Sequence, residues 1–236
     1  MTASSLKKPT ACLGPEVYAQ WRVSELGATT EALEDRLLLN FIGDPRDRQI
    51  LDIGCGDGAL TISLAERGAK AVGVDPSSAM INAAIQRAAS AGANASFCVG
   101  RAESLPFEAQ QFDLVVAKTI LCFVDDATDM FTEIARVLRP DGRLVIGELG
   151  KWSTWAAQRY VRGRLGSSLW RDGHFWTVSE LRSLANRAGM TVNGVRGAIY
   201  YPRSLLAARL LRRFDDTFGR MTTIGAAFIA MSAAKQ

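Results

Sequence analysis

Between residues 49 and 149, short apolar runs alternate with segments whose apolar residues recur at helical spacing. The runs predict five strands, at 49–53, 71–74, 96–99, 112–117 and 143–149. The periodic segments predict helices at 59–66, 78–91 and 125–138. Such alternation is typical of a doubly wound parallel sheet with right-handed crossovers. Ligands of these sheets bind at the carboxyl ends of the strands, so we expect a site there.

Helical patterns precede this core. Residues 15–26 and 30–42 predict two short helices, and residues 1–13 carry no periodicity. Thr30 can cap the second helix and Gly43 can close it. We therefore expect a helical cap at the N-terminal side of the core.

The chain after residue 150 has a different pattern. A capping box at 177–180 begins a helix that Gly189 ends. Two last strands are predicted at 191–201 and 222–233, and a basic amphipathic helix at 204–214 lies between them. These elements bring the expected number of strands to seven.

The predicted fold is therefore α/β, with a doubly wound, mainly parallel seven-stranded sheet of the Rossmann-like type. We divide it into a helical cap at 1–48, a ligand-binding core at 49–150, and a last segment at 151–236. The last segment is expected to supply a lid insertion and the two strands that complete the same domain.

The composition is that of a soluble globular protein, because 48% of the 236 residues are hydrophobic and 22% are charged. A secretory signal and a run of 18 apolar residues are both missing from the sequence, so neither export nor a membrane span is expected. The cysteines at 12, 55, 98 and 122 are widely spaced, which argues against a zinc site or a disulfide framework. We expect a reduced, cytoplasmic protein without a bound metal.

The charge is unevenly distributed along the chain. Residues 1–150 carry 14 Lys and Arg against 20 Asp and Glu, whereas residues 151–236 carry 14 against 4. The basic part is suited to an acidic partner, which could be an anionic substrate, a phospholipid surface or nucleic acid. The alternative is a set of arginines on solvated helix faces.

Residues 50–58 join the first strand to the first core helix through closely spaced glycines. Glycine allows positive φ and a close approach of the backbone to a ligand, and free N–H groups face the ligand at a helix N-terminus. Gly54, Gly56 and Ala59, with Asp75 as the acid 19 residues beyond Gly56, satisfy a relaxed dinucleotide fingerprint. That pattern alone keeps a nicotinamide-dependent oxidoreductase open.

A second pattern, hydrophobic-Asp-hydrophobic-Gly-x-Gly-x-Gly, matches residues 51–58 at every position. Asp52 stands where a nicotinamide-binding fold has an apolar residue, and its carboxylate can attract a cationic head group. Four later blocks accompany this turn, at 72–77, 100–107, 112–117 and 133–146. Together the five blocks resemble the class I S-adenosylmethionine-dependent methyltransferases, most closely the broad subgroup (methyltransferase type 11) that includes quinone and small-molecule methylases.

The resemblance implies a binding residue at each position that matches the family's motifs. Gly54, Cys55 and Gly56 are expected against the methionine part of S-adenosylmethionine, with Asp52 near its ammonium group. Asp75 is expected to accept from both ribose hydroxyls. The remaining implied residues are Pro76 and Met80 beside the nucleoside, Ala102 and Glu103 at the adenine edge, and Lys118 and Thr119 toward the methionyl group.

One position departs from the family pattern. The third block usually places an Asp where this chain has Arg101, and that Asp accepts a hydrogen bond from the adenine amino group. A guanidinium cannot accept a hydrogen bond. We expect Glu103 to take over this contact, with a solvated loop carboxylate as the alternative.

The sequence indicates less about the methyl acceptor. His174 is the single histidine and the first candidate for a general base if the acceptor needs one, with a structural histidine as the alternative; Tyr18, Tyr200 and Tyr201 are weaker candidates. Tryptophans at 152, 155, 170 and 176, with Tyr18 and Trp21, are expected to pack a lid or to form an apolar pocket.

We therefore expect methyl transfer to a small, hydrophobic or aromatic acceptor by in-line displacement. The alternatives are an NAD(P)-dependent oxidoreductase and a methyltransferase that acts on a membrane-associated lipid or quinone. Nucleic acid is not expected as a partner, since recognised RNA-binding patterns are missing from the sequence. The 204–214 helix leaves peripheral membrane contact open, although a helix that covers its own sheet is favoured.

Overall fold

Seven strands form one sheet at the centre of the computed structural model, which describes residues 20–164 and 174–236. The strands are β1 Gln49–Ile53, β2 Lys70–Asp75, β3 Ser96–Val99, β4 Phe112–Lys118, β5 Leu138–Leu149, β6 Met190–Ala198 and β7 Phe228–Lys235. The helices are α1 Glu25–Ile42, α2 Ala59–Glu66, α3 Ser78–Ala91, α4 Ala127–Val137, α5 Thr154–Arg164, α6 Val178–Arg187, α7 Leu205–Leu211 and α8 Asp215–Met221, and a 3₁₀ turn, Arg212–Phe214, joins the last two.

The strands lie in the order β3-β2-β1-β4-β5-β7-β6. The first five strands pair in parallel, whereas β7 is antiparallel to both β5 and β6. The seven-stranded Rossmann-like sheet is thus confirmed, and it is mixed because β7 is reversed. The lid insertion stays a prediction, since residues 165–173 lie outside the described part of the chain.

The N-terminal helices differ from the prediction at their junction. Residues 20–23 are helical, the chain breaks at Ser24, and α1 then runs without interruption to Ile42. Ser24 caps α1 by accepting from the N–H of Gly27, while Thr30 is buried inside the helix and donates to the carbonyl of Leu26. A threonine can satisfy its hydroxyl within a helix in this way, so its capping potential did not mark a helix start.

The C-terminal prediction missed one helix. The last strand was expected from residue 222, but α8 occupies Asp215–Met221 and β7 begins only at Phe228. Asp215 is buried, and its carboxylate accepts from the backbone N–H groups of Ile199 and Tyr200 at 2.9–3.1 Å. This contact holds the start of α8 against the end of β6.

The two faces of the sheet carry separate hydrophobic clusters, because alternate strand residues point to opposite faces. Leu51 and Val115 belong to the cluster under α4 and α6, while Ile50 and Val116 belong to the cluster under α1 and α2. Trp155 of α5 and Ala208 of α7 pack into the second cluster. Helices α6 and α7 therefore lie on opposite faces of the sheet.

Candidate active site

A cavity of about 510 Å³ opens at the carboxyl ends of β1, β2 and β4. All of the residues that the resemblance assigned to the cofactor line this cavity, namely Asp52, Gly54, Cys55, Gly56, Asp75, Pro76, Met80, Ala102, Glu103, Lys118 and Thr119. They come from four separate stretches of sequence. The parallel strands bring them together because their carboxyl ends share one edge of the sheet.

The glycine turn forms the floor of the cavity. Gly54, Gly56 and Gly58 have φ values of 71°, 54° and 78°, in the left-handed region that favours glycine. A Cβ at Gly54 would lie 2.6 Å from Cδ1 of Ile120, whereas a Cβ at Gly56 would meet no atom within 4 Å. A Cβ at Gly54 would therefore crowd Ile120, whereas Gly56 borders open space.

Asp75 joins this turn to the end of β2. One carboxylate oxygen accepts from the N–H of Gly56 at 3.1 Å, and the other accepts from the N–H of Ser77 at 2.9 Å. Partial burial raises the pKa of Asp75, and these two hydrogen bonds act in the opposite direction. Each oxygen retains acceptor capacity, so the carboxylate is arranged to receive neighbouring hydroxyl groups.

Asp52 lies deeper, at the end of β1. Its side chain is buried, and Oδ2 accepts from Oγ1 of Thr61 at 2.6 Å. Burial raises the pKa of Asp52 to about 7, while the hydrogen bond from Thr61 and the charge of Lys118 lower it. The carboxyl group is thus poised between its two protonation states near neutral pH, and a nearby cation would favour the charged form.

Arg101 and Glu103 form a small ionic group at the rim. Arg101 Nη2 lies 3.2 Å from Oε1 of Glu103 and 2.7 Å from Oδ2 of Asp125. The same Oε1 accepts from the backbone N–H of Asp125 at 2.8 Å. These contacts orient the Glu103 carboxylate beside the buried Ala102. Both contacts use Oε1 of Glu103, and Oε2 of Glu103 takes part in neither.

Lys118 connects β4 to α1. Its ammonium group lies 2.7 Å from Asp35, 3.3 Å from Glu34 and 3.7 Å from Glu31. Burial raises the pKa of Glu34, and the charge of Lys118 lowers it. All three carboxylates line the cavity, which the sequence patterns did not predict because α1 carries no family motif.

Comparison with known proteins agrees with this geometry. A family model described as a methyltransferase domain matches residues 51–146. An uncharacterized protein of Mycobacterium tuberculosis is 32% identical over 222 residues, which cover 93% of this chain and 71% of that protein. The ubiquinone biosynthesis O-methyltransferase of Coxiella burnetii is 28% identical over 162 residues, covering 66% of this chain and 69% of that protein.

Among solved structures, an S-adenosylmethionine-dependent methyltransferase from Thermotoga maritima matches with a TM-score of 0.71 and 21% identity, over 94% of this chain and 96% of that one. The chain belongs to the S-adenosylmethionine-dependent methyltransferases. The recognised resemblance and the expected cofactor are thereby confirmed. The oxidoreductase alternative finds no support in these comparisons.

The lining of the methyltransferase cavity also includes aromatic and basic residues outside the cofactor set, and we call them the aromatic and basic half. Trp21 and Trp155 pack edge to face with ring centroids 6.2 Å apart, and the guanidinium of Arg203 lies over both rings at 5.1 and 5.7 Å. Arg159 and Arg162 of α5 also line this half. The sequence pointed to the tryptophans and to the basic segment, but not to these particular arginines.

Arg22 closes the cavity near the glycine turn. Its guanidinium donates to both oxygens of Asp57 at 2.8 and 2.9 Å and to Glu31 at 2.8 Å. Asp57 belongs to the turn and Glu31 to α1, so Arg22 ties the N-terminal segment to the floor. The sequence indicated only a helical cap at residues 1–48 and did not single out Arg22.

His174 is not among the residues that line this cavity. Its ring packs on Trp176 with centroids 4.4 Å apart, and Nε2 lies 3.4 Å from Oε1 of Glu180, the capping-box glutamate of α6. Tyr200 and Tyr201 are also not among the lining residues, while Tyr18 and Trp170 lie outside the described residues. The structure therefore separates His174 from the residues expected to hold the cofactor.

Two other tryptophans also do not line the cavity. Trp152 is exposed, and Trp176 packs at the edge of the cluster under α6. Of the tryptophans predicted after residue 150, Trp155 alone among the described ones faces the cavity.

Proposed function

We propose that this methyltransferase transfers a methyl group to a small acceptor that combines an aromatic or hydrophobic body with an anionic group. One observation carries the proposal: the same cavity is lined by the residues expected to hold the cofactor and by Trp155, Arg159 and Arg203. A donor and an acceptor bound in one cavity can be aligned with each other and separated from water.

The residues at the glycine end fit S-adenosylmethionine. The open space at Gly56 accommodates the methionine part, and the Asp75 carboxylate is placed to accept from the two ribose hydroxyls. The Asp52 carboxylate is expected to attract the ammonium group of the cofactor's methionine part. Met80 and Ala102 are expected to contact the adenine. When bound, the cofactor would supply a methyl group on a sulfonium: the acceptor would form a bond to the methyl carbon in line with the breaking carbon–sulfur bond, whose electron pair goes to sulfur as S-adenosylhomocysteine leaves.

The basic half fits an anionic group on the acceptor. Burial lowers the pKa of Arg159 to about 10, with the Arg203 charge acting in the same direction and Glu34 opposing it. Burial also lowers the pKa of Arg203, as does the charge of Arg162. Three positive charges that repel one another in a partly desolvated site favour a carboxylate or a phosphate there. Trp21 and Trp155 supply the apolar surface beside them.

Glu34 is better placed than His174 to take a proton from the acceptor. Its carboxyl lines the cavity, and burial raises its pKa, which makes it a stronger base than an exposed carboxylate. Lys118 at 3.3 Å holds the side chain in position. A carbon or oxygen acid would use this base, whereas an amine acceptor that is already neutral would not require it.

A thermal shift measurement tests the cofactor half of the proposal. S-adenosylhomocysteine is expected to raise the melting temperature and NADH is not, because only a ligand of the folded state stabilises it. The reverse result would overturn the assignment.

A methyl-transfer screen tests the acceptor half. Labelled S-adenosylmethionine is supplied with aqueous and lipid fractions of cell extract, and the labelled product is separated by anion exchange. We expect a product that binds the anion exchanger, and we expect Arg159→Ala and Arg203→Ala to raise KM for its precursor. The control Arg182→Ala, on the exposed side of α6, should leave KM unchanged. A labelled product whose precursor carries no anionic group would contradict the anionic acceptor.

A further inference from the structure

Exposed apolar side chains follow one face of the helical segment formed by α7, the 3₁₀ turn and α8. They recur at intervals of four, four, four and three residues, and each exposes between 43% and 77% of its surface. We call this set the apolar stripe, and its members are Leu206, Leu210, Phe214, Phe218 and Met221. Surface apolar residues are ordinarily scattered, so a continuous row of large ones marks an interaction surface.

The opposite face of the same segment packs on the rest of the domain, α7 against α1 and α8 against β6. Ala208, Asp215 and Gly219 are buried there, and a Cβ added at Gly219 would lie 2.2 Å from the carbonyl oxygen of Gly197 in β6. The helix predicted at 204–214 was favoured to cover its own sheet; α7 instead packs on α1, and it is α8 that packs on β6 of the sheet. The segment makes these contacts with small and polar residues and presents its large apolar residues outward, so this packing does not account for the stripe.

The apolar surface continues beyond the helices. Ile224, three residues after Met221, exposes 75% of its surface, and Trp152 exposes 66%. The backbone N–H of Gly225 donates to the carbonyl of Trp152 at 2.8 Å, so Ile224 and Trp152 belong to adjacent segments. A tryptophan at the edge of such a surface is suited to the interface between lipid and water.

Arginines accompany the stripe. Arg209 pairs with Glu25 and Arg220 with Asp216. Arg212 and Arg213 are exposed, and within residues 20–164 and 174–236 no carboxylate lies within 4.0 Å of either guanidinium. A second copy of this face would bring like charges together, whereas an anionic lipid surface would complement them.

We propose that the apolar stripe and its arginines dock this methyltransferase on an anionic membrane surface. The residues insert their side chains at the level of the lipid headgroups while the arginines face the anionic lipids. The stripe begins three residues after Arg203, which lines the cavity, so docking would bring this part of the cavity lining close to the lipid. The proposal stands on the surface alone and does not depend on the anionic acceptor.

Vesicle flotation tests the docking. The full chain is mixed with vesicles of phosphatidylglycerol and phosphatidylcholine, or of phosphatidylcholine alone, at low salt. We expect co-flotation with the anionic vesicles only, and its loss at high salt, because salt screens the arginines. Failure of the wild-type protein to float with anionic vesicles at low salt would overturn the proposal, and it would leave cofactor binding and acceptor charge untouched.

Matched variants identify the surface. The pair Arg212→Gln and Arg213→Gln is expected to weaken partitioning about twenty-five-fold, since each arginine near an anionic surface accounts for about fivefold. The control pair Arg182→Gln and Arg187→Gln removes the same charge from α6 on the other face of the sheet. Equal losses from the two pairs would contradict a specific surface.

The apolar contribution is tested separately. Leu210→Ser is expected to weaken partitioning into the vesicles about tenfold, because it removes the free energy gained by burying one leucine side chain in the membrane. Val99→Ser, at the opposite edge of the sheet, is the control and should have no effect. Both side chains are exposed, so neither change is expected to lower the melting temperature. If the wild-type protein forms a concentration-dependent dimer and Leu210→Ser dissociates it, the stripe binds a second copy of the chain. That result would overturn the proposal of membrane docking.

Discussion

The carboxylate of Asp75 accepts a hydrogen bond from the backbone N–H of Gly56 at 3.1 Å. This contact joins the ends of β1 and β2 at the floor of the cavity, and it aims a charged acceptor at the space left open by Gly56. In this methyltransferase the two residues act as one unit, since Gly56 orients the carboxylate that is expected to hold the ribose.

Asp75→Ala is expected to weaken the binding of S-adenosylhomocysteine about a hundredfold, because it removes two hydrogen bonds to a charged acceptor. Titration calorimetry measures this change. His174→Ala, outside the cavity, should leave the affinity unchanged. Equal losses in the two variants would show that the division between the cavity and the His174 region is wrong.

The variant Gly56→Ala tests whether the cofactor lies against Gly56. Comparison with a second glycine of similar φ distinguishes a steric effect on the cofactor from the general cost of backbone strain. An alanine at φ 54° costs about 1 kcal/mol of stability, and its Cβ would enter the open space where the cofactor is expected. Gly92→Ala is the matched control, because Gly92 has φ 63°, open surroundings and a position at the C-terminus of α3 away from the cavity. Both variants should be destabilised alike, and only Gly56→Ala should lose cofactor affinity. Unimpaired binding by Gly56→Ala would place the cofactor elsewhere.

The cofactor half of the site was accessible from sequence because its residues follow strand ends. In a parallel sheet those ends meet at one edge, so Asp52, Asp75 and Lys118 could be expected together before their distances were known. Their roles remain proposals, but their convergence on one cavity follows from the strand pattern alone.

The acceptor half was not accessible in the same way. Arg159 and Arg203 come from segments on either side of β6, and they meet only because α5 and the loop after β6 pack on the same face of the sheet. Likewise, α8 depends on the contact of Asp215 with Ile199 and Tyr200, which no local propensity encodes. The position of these arginines and the existence of α8 therefore depend on packing between residues distant in the sequence, which the local sequence pattern does not predict.

Glu103 and Arg101 provide a test of how adenine is recognised. Glu103→Ala is expected to weaken S-adenosylhomocysteine binding about tenfold, by the loss of one hydrogen bond to a charged acceptor. An analogue with inosine in place of adenosine has no adenine amino group. It should bind the wild type more weakly than S-adenosylhomocysteine does, whereas Glu103→Ala should bind both compounds equally well. Adding Arg101→Asp, which restores the acid usual in the family, should recover the affinity. Full discrimination by Glu103→Ala would show that the carboxylate does not contact the amino group.

Glu148 is expected to make the stability of the protein depend on pH. The residue is fully buried in β5, and Oε1 accepts from the N–H groups of Ile120 and Leu121 at 2.9 and 2.8 Å. Burial raises the pKa of Glu148 to about 8, and these hydrogen bonds act in the opposite direction. The folded protein therefore keeps a proton that the unfolded chain loses near its ordinary carboxyl pKa.

The free energy of unfolding should consequently fall as the pH rises from about 4.5 to about 8, and level off above that, because the unfolded state binds fewer protons in this window. Glu148→Gln does not titrate, so its stability should decline less, by a difference that approaches about 4 kcal/mol at the upper end. Asp52, whose raised pKa of about 7 adds a decline of the same sign, is present in both proteins and cancels in the comparison.

Urea unfolding across this range measures the difference, with the exposed Glu66→Gln as the control. Parallel curves for wild type and Glu148→Gln would show that Glu148 is ionised throughout, and that the hydrogen bonds from Ile120 and Leu121 outweigh its burial.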